Sequence, residues 1–250
     1  MVGTLDGQVA LVTGASSGIG EATAVALAEV GATVVVVARR GARLSSLVER
    51  IQAGGGKALA MPGDVSNEDV AKTVVAETVN HFGRLDILVN SAGTMQADNL
   101  ENADLAQWRQ VIDTNLMASI YTCHAAIAPM KDQGSGTIIN VGSLACRTTS
   151  PLYNSYATSK SGLNAMTDGL RQEVGTYGIR VCMLAPGTVT TEISEGIVDE
   201  AHRQAIREHL NQDGALKPED MAETVVFVAS LPKRVNISEM WVRATTDVLY

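Results

Sequence analysis

Apolar positions along the chain fall into short β-branched runs separated by longer stretches with helical spacing, and this alternation continues from end to end. VALVT (9–13) predicts a first strand, and 21–30 predict the helix after it, stopped by Gly31. TVVVVA (33–38) is apolar almost throughout, as in a strand covered on both faces. A helix over 43–53 ends in the glycines at 54–56, KALAMPGDV (57–65) carries a third strand, and a helix over 67–82 is capped by Gly83. LDILVN (85–90) is a fourth strand, followed by one long helical stretch from about 105 to 130. Gly134 and Gly136 lead into TIINVGS (137–143). A helix over 155–175, the strand IRVCMLAP (179–186), a helix over 217–231 marked by Pro218 and the short strand EMWVRA (239–244) complete the order. Strand–helix alternation means βαβ units, hence an α/β fold with a parallel sheet. No internal repeat or linker divides the chain, so one domain over 1–250 is expected.

Composition narrows the function classes. The chain has 250 residues, 46% hydrophobic and 18% charged, with aromatics at only 4%, so the core must be mainly aliphatic. A net charge of −8 argues against a nucleic-acid partner, which needs a basic face. The apolar runs are strand-length, far short of a membrane span, and no charged-then-apolar leader opens the chain. Cys123, Cys146 and Cys182 lack metal-ligand spacing and read as free thiols of a reducing cytoplasm. His81, His124, His202 and His209 form no metal motif and read as surface or packing residues, so no metal site is expected.

The chemistry lies at the strand ends. The first strand runs into TGASSGIG, where Gly14, Gly18 and Gly20 suit a tight turn, close backbone approach to a pyrophosphate, and close helix packing. The free N–H groups opening the next helix make an anion site, so Ser16, Ser17 and Ile19 join the glycines as cofactor contacts. An acid ending the second strand would bind the ribose 2′-OH of NAD, whereas arginine accommodates a 2′-phosphate. Here the strand ends in Arg39 and Arg40, with no acid nearby, which favours NADP(H). Asp64 and Val65 close the third strand, the Asp placed for an adenine amino group. Asn90, Ala92 and Gly93 close the fourth, where small residues let backbone approach the cofactor. Finally, Tyr156 and Lys160 share a helix face at i, i+4, so a cation can favour the phenolate of a neighbouring tyrosine.

TGASSGIG, NSAG, Asn115, Ser143, YATSK and PGTVTT occur in the order and spacing of the short-chain dehydrogenase/reductase family, and the resemblance covers roughly 5–242. The family's usual NNAG reads NSAG here, with Ser91 in the second position. The resemblance implies a Rossmann-type doubly wound sheet of seven parallel strands in the order 3-2-1-4-5-6-7. It implies that Tyr156 is the general acid or base, that Lys160 lowers its pKa and binds the nicotinamide ribose, and that Ser143 donates to the reacting oxygen. Asn115 resembles the residue that interrupts helix bonding and holds a water leading to Lys160. Pro186 and Gly187 would turn the chain beneath the nicotinamide, with Val189 backbone and the Thr191 side chain on its carboxamide.

By the same resemblance, the charged, amphipathic segment 192–216 is a substrate lid, read as one or two short helices. Met95, Leu144, Ala145, Tyr153, Thr188 and Ile193 are expected to line the substrate pocket, being adjacent to the catalytic residues or the lid. The sequences ARR, RQEV and MWVRATTD are locally similar to clavulaldehyde-reducing members and related carbonyl reductases. The expectation is an NADP(H)-dependent oxidoreductase acting between a ketone or aldehyde and its alcohol, assembled as a homotetramer. The alternatives are a 3-oxoacyl-carrier-protein reductase, a hydroxysteroid dehydrogenase, and a non-catalytic nucleotide-sensing protein on the same fold.

Overall fold

The computed structural model describes residues 4–97, 99–148, 151–211 and 214–246. Its strands are β1 (Val9–Thr13), β2 (Thr33–Ala38), β3 (Lys57–Pro62), β4 (Ile87–Asn90), β5 (Gly136–Val141), β6 (Ile179–Pro186) and β7 (Glu239–Val242). All neighbours pair in parallel, in the order β3-β2-β1-β4-β5-β6-β7, which is the expected order. The helices are α1 (Gly18–Glu29), α2 (Gly41–Ala53), α3 (Glu68–Phe82), α4 (Leu105–Ile112), α5 (Ala118–Gln133), α6 (Asn154–Val174), α7 (Glu200–Leu210) and α8 (Pro218–Ala229).

Successive side chains of a strand point to opposite faces, and here both faces are covered. Ala10 and Val12 of β1, with Val34 and Val36 of β2, pack in one apolar layer that includes residues of α1, α2 and α8. Leu11, Val35 and Val37 pack in the other layer, with residues of α3, α5 and α6. This is why TVVVVA has no polar alternation. Because β1 to β3 run outward on one side and β4 to β7 on the other, the sheet reverses at the β1–β4 pair. Helical crossovers diverge there and leave a crevice at the carboxyl ends of the strands.

One expected element is divided. The helical stretch predicted over 105–130 is α4 and α5 joined by a π-helical turn, Asp113–Met117. The cause is visible in Asn115, which is fully buried. Its side chain accepts from Thr94 N at 2.8 Å and donates to Thr94 O at 2.9 Å and Ser159 Oγ at 3.0 Å. A π turn widens the helix by one residue and re-aims the side chain inside it. In the segment 192–216, a 3₁₀ turn (Glu192–Gly196) precedes α7, and residues 212–213 lie outside the described residues.

Beneath the crevice, β4 and β5 are pinned to helices on one face by a buried polar network. Asn90 Nδ2 donates to Asn140 Oδ1 at 2.9 Å, Thr122 Oγ1 to Asn90 Oδ1 at 2.7 Å, and Asn140 Nδ2 to Thr167 Oγ1 at 2.9 Å. Buried amides that lose a partner carry their full desolvation penalty. Asn140→Ala should therefore lower the free energy of unfolding by about 2–3 kcal/mol, measured by urea denaturation.

Candidate active site

At the end of β1 the chain turns through Gly14, in the left-handed region at φ 67°. A Cβ there would lie 2.6 Å from Ser91 O and 2.7 Å from Ala92 N, so only glycine lets the exits of β1 and β4 come this close. Thr13 Oγ1 holds the same junction, accepting from Ser91 N at 3.2 Å and Ala92 N at 3.3 Å. Gly20 faces back into the turn, where a Cβ would sit 2.6 Å from Gly14 O. Ser17 occupies the N-cap of α1 but makes no capping bond; its Oγ accepts instead from Arg40 Nη2 at 2.6 Å. The first-turn N–H groups of α1 thus have no side-chain cap from Ser17.

A cleft of about 770 Å³ opens along this edge of the sheet. Gly14, Ser16, Ser17, Gly18 and Ile19 line it at the glycine turn, and Arg39 and Arg40 after β2. Asp64 and Val65 line it after β3, and Ala92 and Gly93 after β4. Pro186 at the end of β6 and Gly187, Val189 and Thr191 beyond it do so as well. The Asp64 carboxylate also closes a local turn, accepting from Ser66 N at 3.1 Å and Ser66 Oγ at 2.8 Å. Three residues expected at the site stand behind this wall. Gly20 packs under Gly14, Asn90 turns inward to Asn140, and Asn115 lies one layer deeper. Asn115 still reaches the same point as Lys160. A Cβ on Gly93 would meet Asn115 Oδ1 at 3.5 Å and Lys160 Nζ at 3.8 Å.

Tyr156 and Lys160 stand one turn apart near the start of α6, 7% and 4% exposed. Lys160 Nζ lies 5.8 Å from the Tyr156 ring centroid and donates to Val141 O, at the end of β5, at 2.8 Å. Ser159 Oγ donates to Tyr156 O at 2.6 Å and accepts from Asn115, which fixes the helix turn against the π turn. Ser143 N-caps the 3₁₀ turn Leu144–Cys146, its Oγ accepting from Ala145 N at 3.1 Å. It therefore serves both as a cap and as a hydrogen-bonding neighbour of Tyr156.

The electrostatics depart from the sequence expectation, in which Lys160 lowers the phenol. Burial is the largest influence on both groups, because a dry site disfavours either charged form. It pushes Tyr156 up from its ordinary value, the Ser143 hydrogen bond pulls it partly back, and Cys146 pushes it further up. Burial holds the Lys160 ammonium down to about 8.

Met95, Leu144, Ala145, Tyr153, Thr188 and Ile193 all line the cleft. Met95, Tyr153 and Ile193 also pack against an apolar cluster of Ala97, Ile197, Ile206 and Leu210, which seats α7 over the opening. Gln96 fastens the same segment, donating to Gly196 O at 2.5 Å and accepting from Val198 N at 3.2 Å. Several cleft residues escape the sequence reading. His209, read as a surface or packing residue, lines the cleft and bonds Thr188 Oγ1 at 3.2 Å. Ile206 and Leu210 follow a visible helical period, but periodicity does not say which surface that face covers. Arg243, just past β7, carries no sequence signal, and Glu192 is marked only as the start of the lid segment, because their neighbours in the cleft are remote along the chain.

Comparison with known proteins gives a consistent picture. A family model described as short chain dehydrogenase matches residues 8–202. An uncharacterized oxidoreductase of Staphylococcus saprophyticus is 35% identical over 241 residues, covering 96% of this chain and 98% of that protein. A short-chain type dehydrogenase/reductase from Mycobacterium marinum superposes with a TM-score of 0.87 at 31% identity, over 96% of this chain and 95% of the other. A metagenomic short-chain oxidoreductase solved in complex with NADP gives 0.83 at 32% identity, over 96% and 98% of the two chains.

The buried lysine has a measurable cost. Its folded-state pKa of about 8 lies below the ordinary 10.5. The unfolded chain therefore binds the extra proton between these values, and stability rises with pH across that window. Below pH 8 the penalty is present in full. Lys160→Met should stabilise the protein at pH 7 by about 1–3 kcal/mol, and the gain should fade as pH approaches 10.5. Denaturant unfolding at a series of pH values measures it.

Proposed function

This chain belongs to the short-chain dehydrogenase/reductase family, and from that premise we propose that it is an NADP(H)-dependent reductase of ketones or aldehydes, reversible toward the alcohol. The observation that carries the reading is the convergence of Ser143, Tyr156 and Lys160 on one cleft that also exposes the glycine turn and Arg39 and Arg40.

The residues present fit a nicotinamide dinucleotide. The glycine turn lets the exits of β1 and β4 pack backbone to backbone beside the cleft, and the α1 N–H groups there are left uncapped by Ser17. Gly14, Ser16, Ser17, Gly18 and Ile19 would hold the pyrophosphate half, Asp64 and Val65 the adenine side, and Ala92 and Gly93 the backbone between. Pro186, Gly187, Val189 and Thr191 would hold the nicotinamide end. When bound, the cofactor supplies or takes up the hydride. Arginines in place of an acid after β2 favour a 2′-phosphate over a bare 2′-OH.

The protein's part is proton transfer and orientation. Tyr156 gives its phenolic proton to the carbonyl oxygen in reduction and recovers it in oxidation. Ser143 hydrogen-bonds the same oxygen. Burial keeps Tyr156 protonated at neutral pH, the form that reduction needs. Lys160, held by Val141 O and facing Asn115 across Gly93, places a cation behind the phenol and favours its ionised form as the proton leaves. The apolar wall of Met95, Leu144, Ala145, Tyr153 and Ile193, with Thr188 at its edge, suits a medium-sized carbonyl compound beneath a lid formed by 192–216.

A panel of aldehydes and ketones assayed with NADPH and NADH tests this reading. Turnover preferring NADPH is expected; a preference for NADH would remove the role given to Arg39 and Arg40. Binding with no turnover of any carbonyl compound would favour a sensor instead. Tyr156→Phe should lower kcat by about 100- to 10,000-fold while the Kd for NADPH stays within about twofold. With rising pH, reduction should decline and oxidation should increase, since they use opposite protonation states of Tyr156.

A further inference from the structure

Arg40, just after β2, and Arg43, in α2, already hold an anion from within the chain. Glu192 Oε2 accepts from Arg40 Nη1 at 3.0 Å and from Arg43 Nη1 at 2.7 Å. The remaining donors of Arg40 reach the glycine turn: Nε donates to Ser16 Oγ at 3.0 Å and Nη2 to Ser17 Oγ at 2.6 Å. Two guanidinium groups and two hydroxyls gathered beside the first turn of a helix form a phosphate-type donor set. Here the anion among them is a side chain of the segment that covers the cleft. Both arginines hold the Glu192 carboxyl below the usual carboxylate range, so it is charged at neutral pH.

The three side chains are 44–48% exposed, and ion pairs this exposed are weak. Glu192 is thus displaceable, yet it opposes any second anion in its place. A phosphate contacting Arg40 and Arg43 must either push the carboxylate aside or bind next to a like charge.

We propose that Glu192 is a cofactor-specificity residue that competes with the 2′-phosphate of NADP(H) for Arg40 and Arg43, lowering affinity for the phosphorylated cofactor while leaving NAD(H) unaffected. This rests on the NADP(H) reading given above. Glu192 lies outside the glycine turn and the β2 terminus that are usually inspected for this preference. It enters only because the segment after β6 folds back across both.

The test uses binding alone. The adenosine fragments 2′,5′-ADP and 5′-AMP, which differ by the 2′-phosphate and carry no nicotinamide, are titrated calorimetrically into the full chain. Proteins compared are the wild type, Glu192→Gln, Glu192→Ala and Arg40→Ala. Both Glu192 variants should bind 2′,5′-ADP about 3- to 10-fold more tightly, a gain that shrinks in high salt, with 5′-AMP unchanged. If neither variant gains while Arg40→Ala loses 2′,5′-ADP binding, the competition is overturned and the NADP(H) reading stands. Equal tightening of both fragments would mean a general opening of the cleft and would also overturn it. If neither the wild type nor the Glu192 variants prefer 2′,5′-ADP to 5′-AMP, the NADP(H) reading falls and takes the inference with it.

Discussion

A parallel sheet covered on both faces constrains nearly everything else in this molecule. Each strand must return through a crossover, so all carboxyl ends meet along one edge, and the order β3-β2-β1-β4-β5-β6-β7 makes the crossovers diverge at β1 and β4. The glycine turn, the end of β4, Ser143 after β5 and the Pro186–Gly187 turn are drawn together by that geometry, not by nearness in sequence. Gly14 shows how tight the demand is. A single methyl group would collide with the backbone of Ser91 and Ala92.

The same core that builds this edge imposes an energetic conflict upon it. Tyr156 and Lys160 are polar groups near the ends of strands whose residues are otherwise aliphatic, and burial disfavours the charged form of each. The fold retains them through a chain of hydrogen bonds linking Lys160 to Val141, and Asn115 to Thr94 and Ser159. Below it, the Asn90–Asn140–Thr167 network holds β4 and β5 in register. Polar networks of this kind rigidify a site only when every member is satisfied, and here the π turn at Asp113–Met117 supplies the missing geometry for Asn115.

Much of this was legible in the sequence because the signals were local. TVVVVA announces a doubly covered strand, TGASSGIG a turn into a helix, and YATSK a shared helix face. Boundaries were less certain: β3 ends at Pro62, before Asp64, and the helix expected over 105–130 is interrupted. Asn90 was assigned to the cofactor, but the pleat directs it into the core while its successors Ser91, Ala92 and Gly93 line the cleft. The burial of Tyr156 was hidden for a related reason. Spacing shows that a lysine is adjacent, but not that both groups are dry. Glu192 and His209 fall in the segment 192–216 read as a lid, but what each side chain meets there is set by the tertiary fold and is not marked in the local pattern.

The carboxylate lodged between Arg40 and Arg43 also bears on departure. Two guanidinium groups left without an anion would have to rehydrate as a bound phosphate pulled away, and that step would slow its escape. With Glu192 at hand, one anion can take the place of another, so the two guanidinium groups are not left bare. Product release often limits turnover in enzymes that close over their ligands. On the proposed reading, a weaker grip on the phosphate is exchanged for a faster cycle.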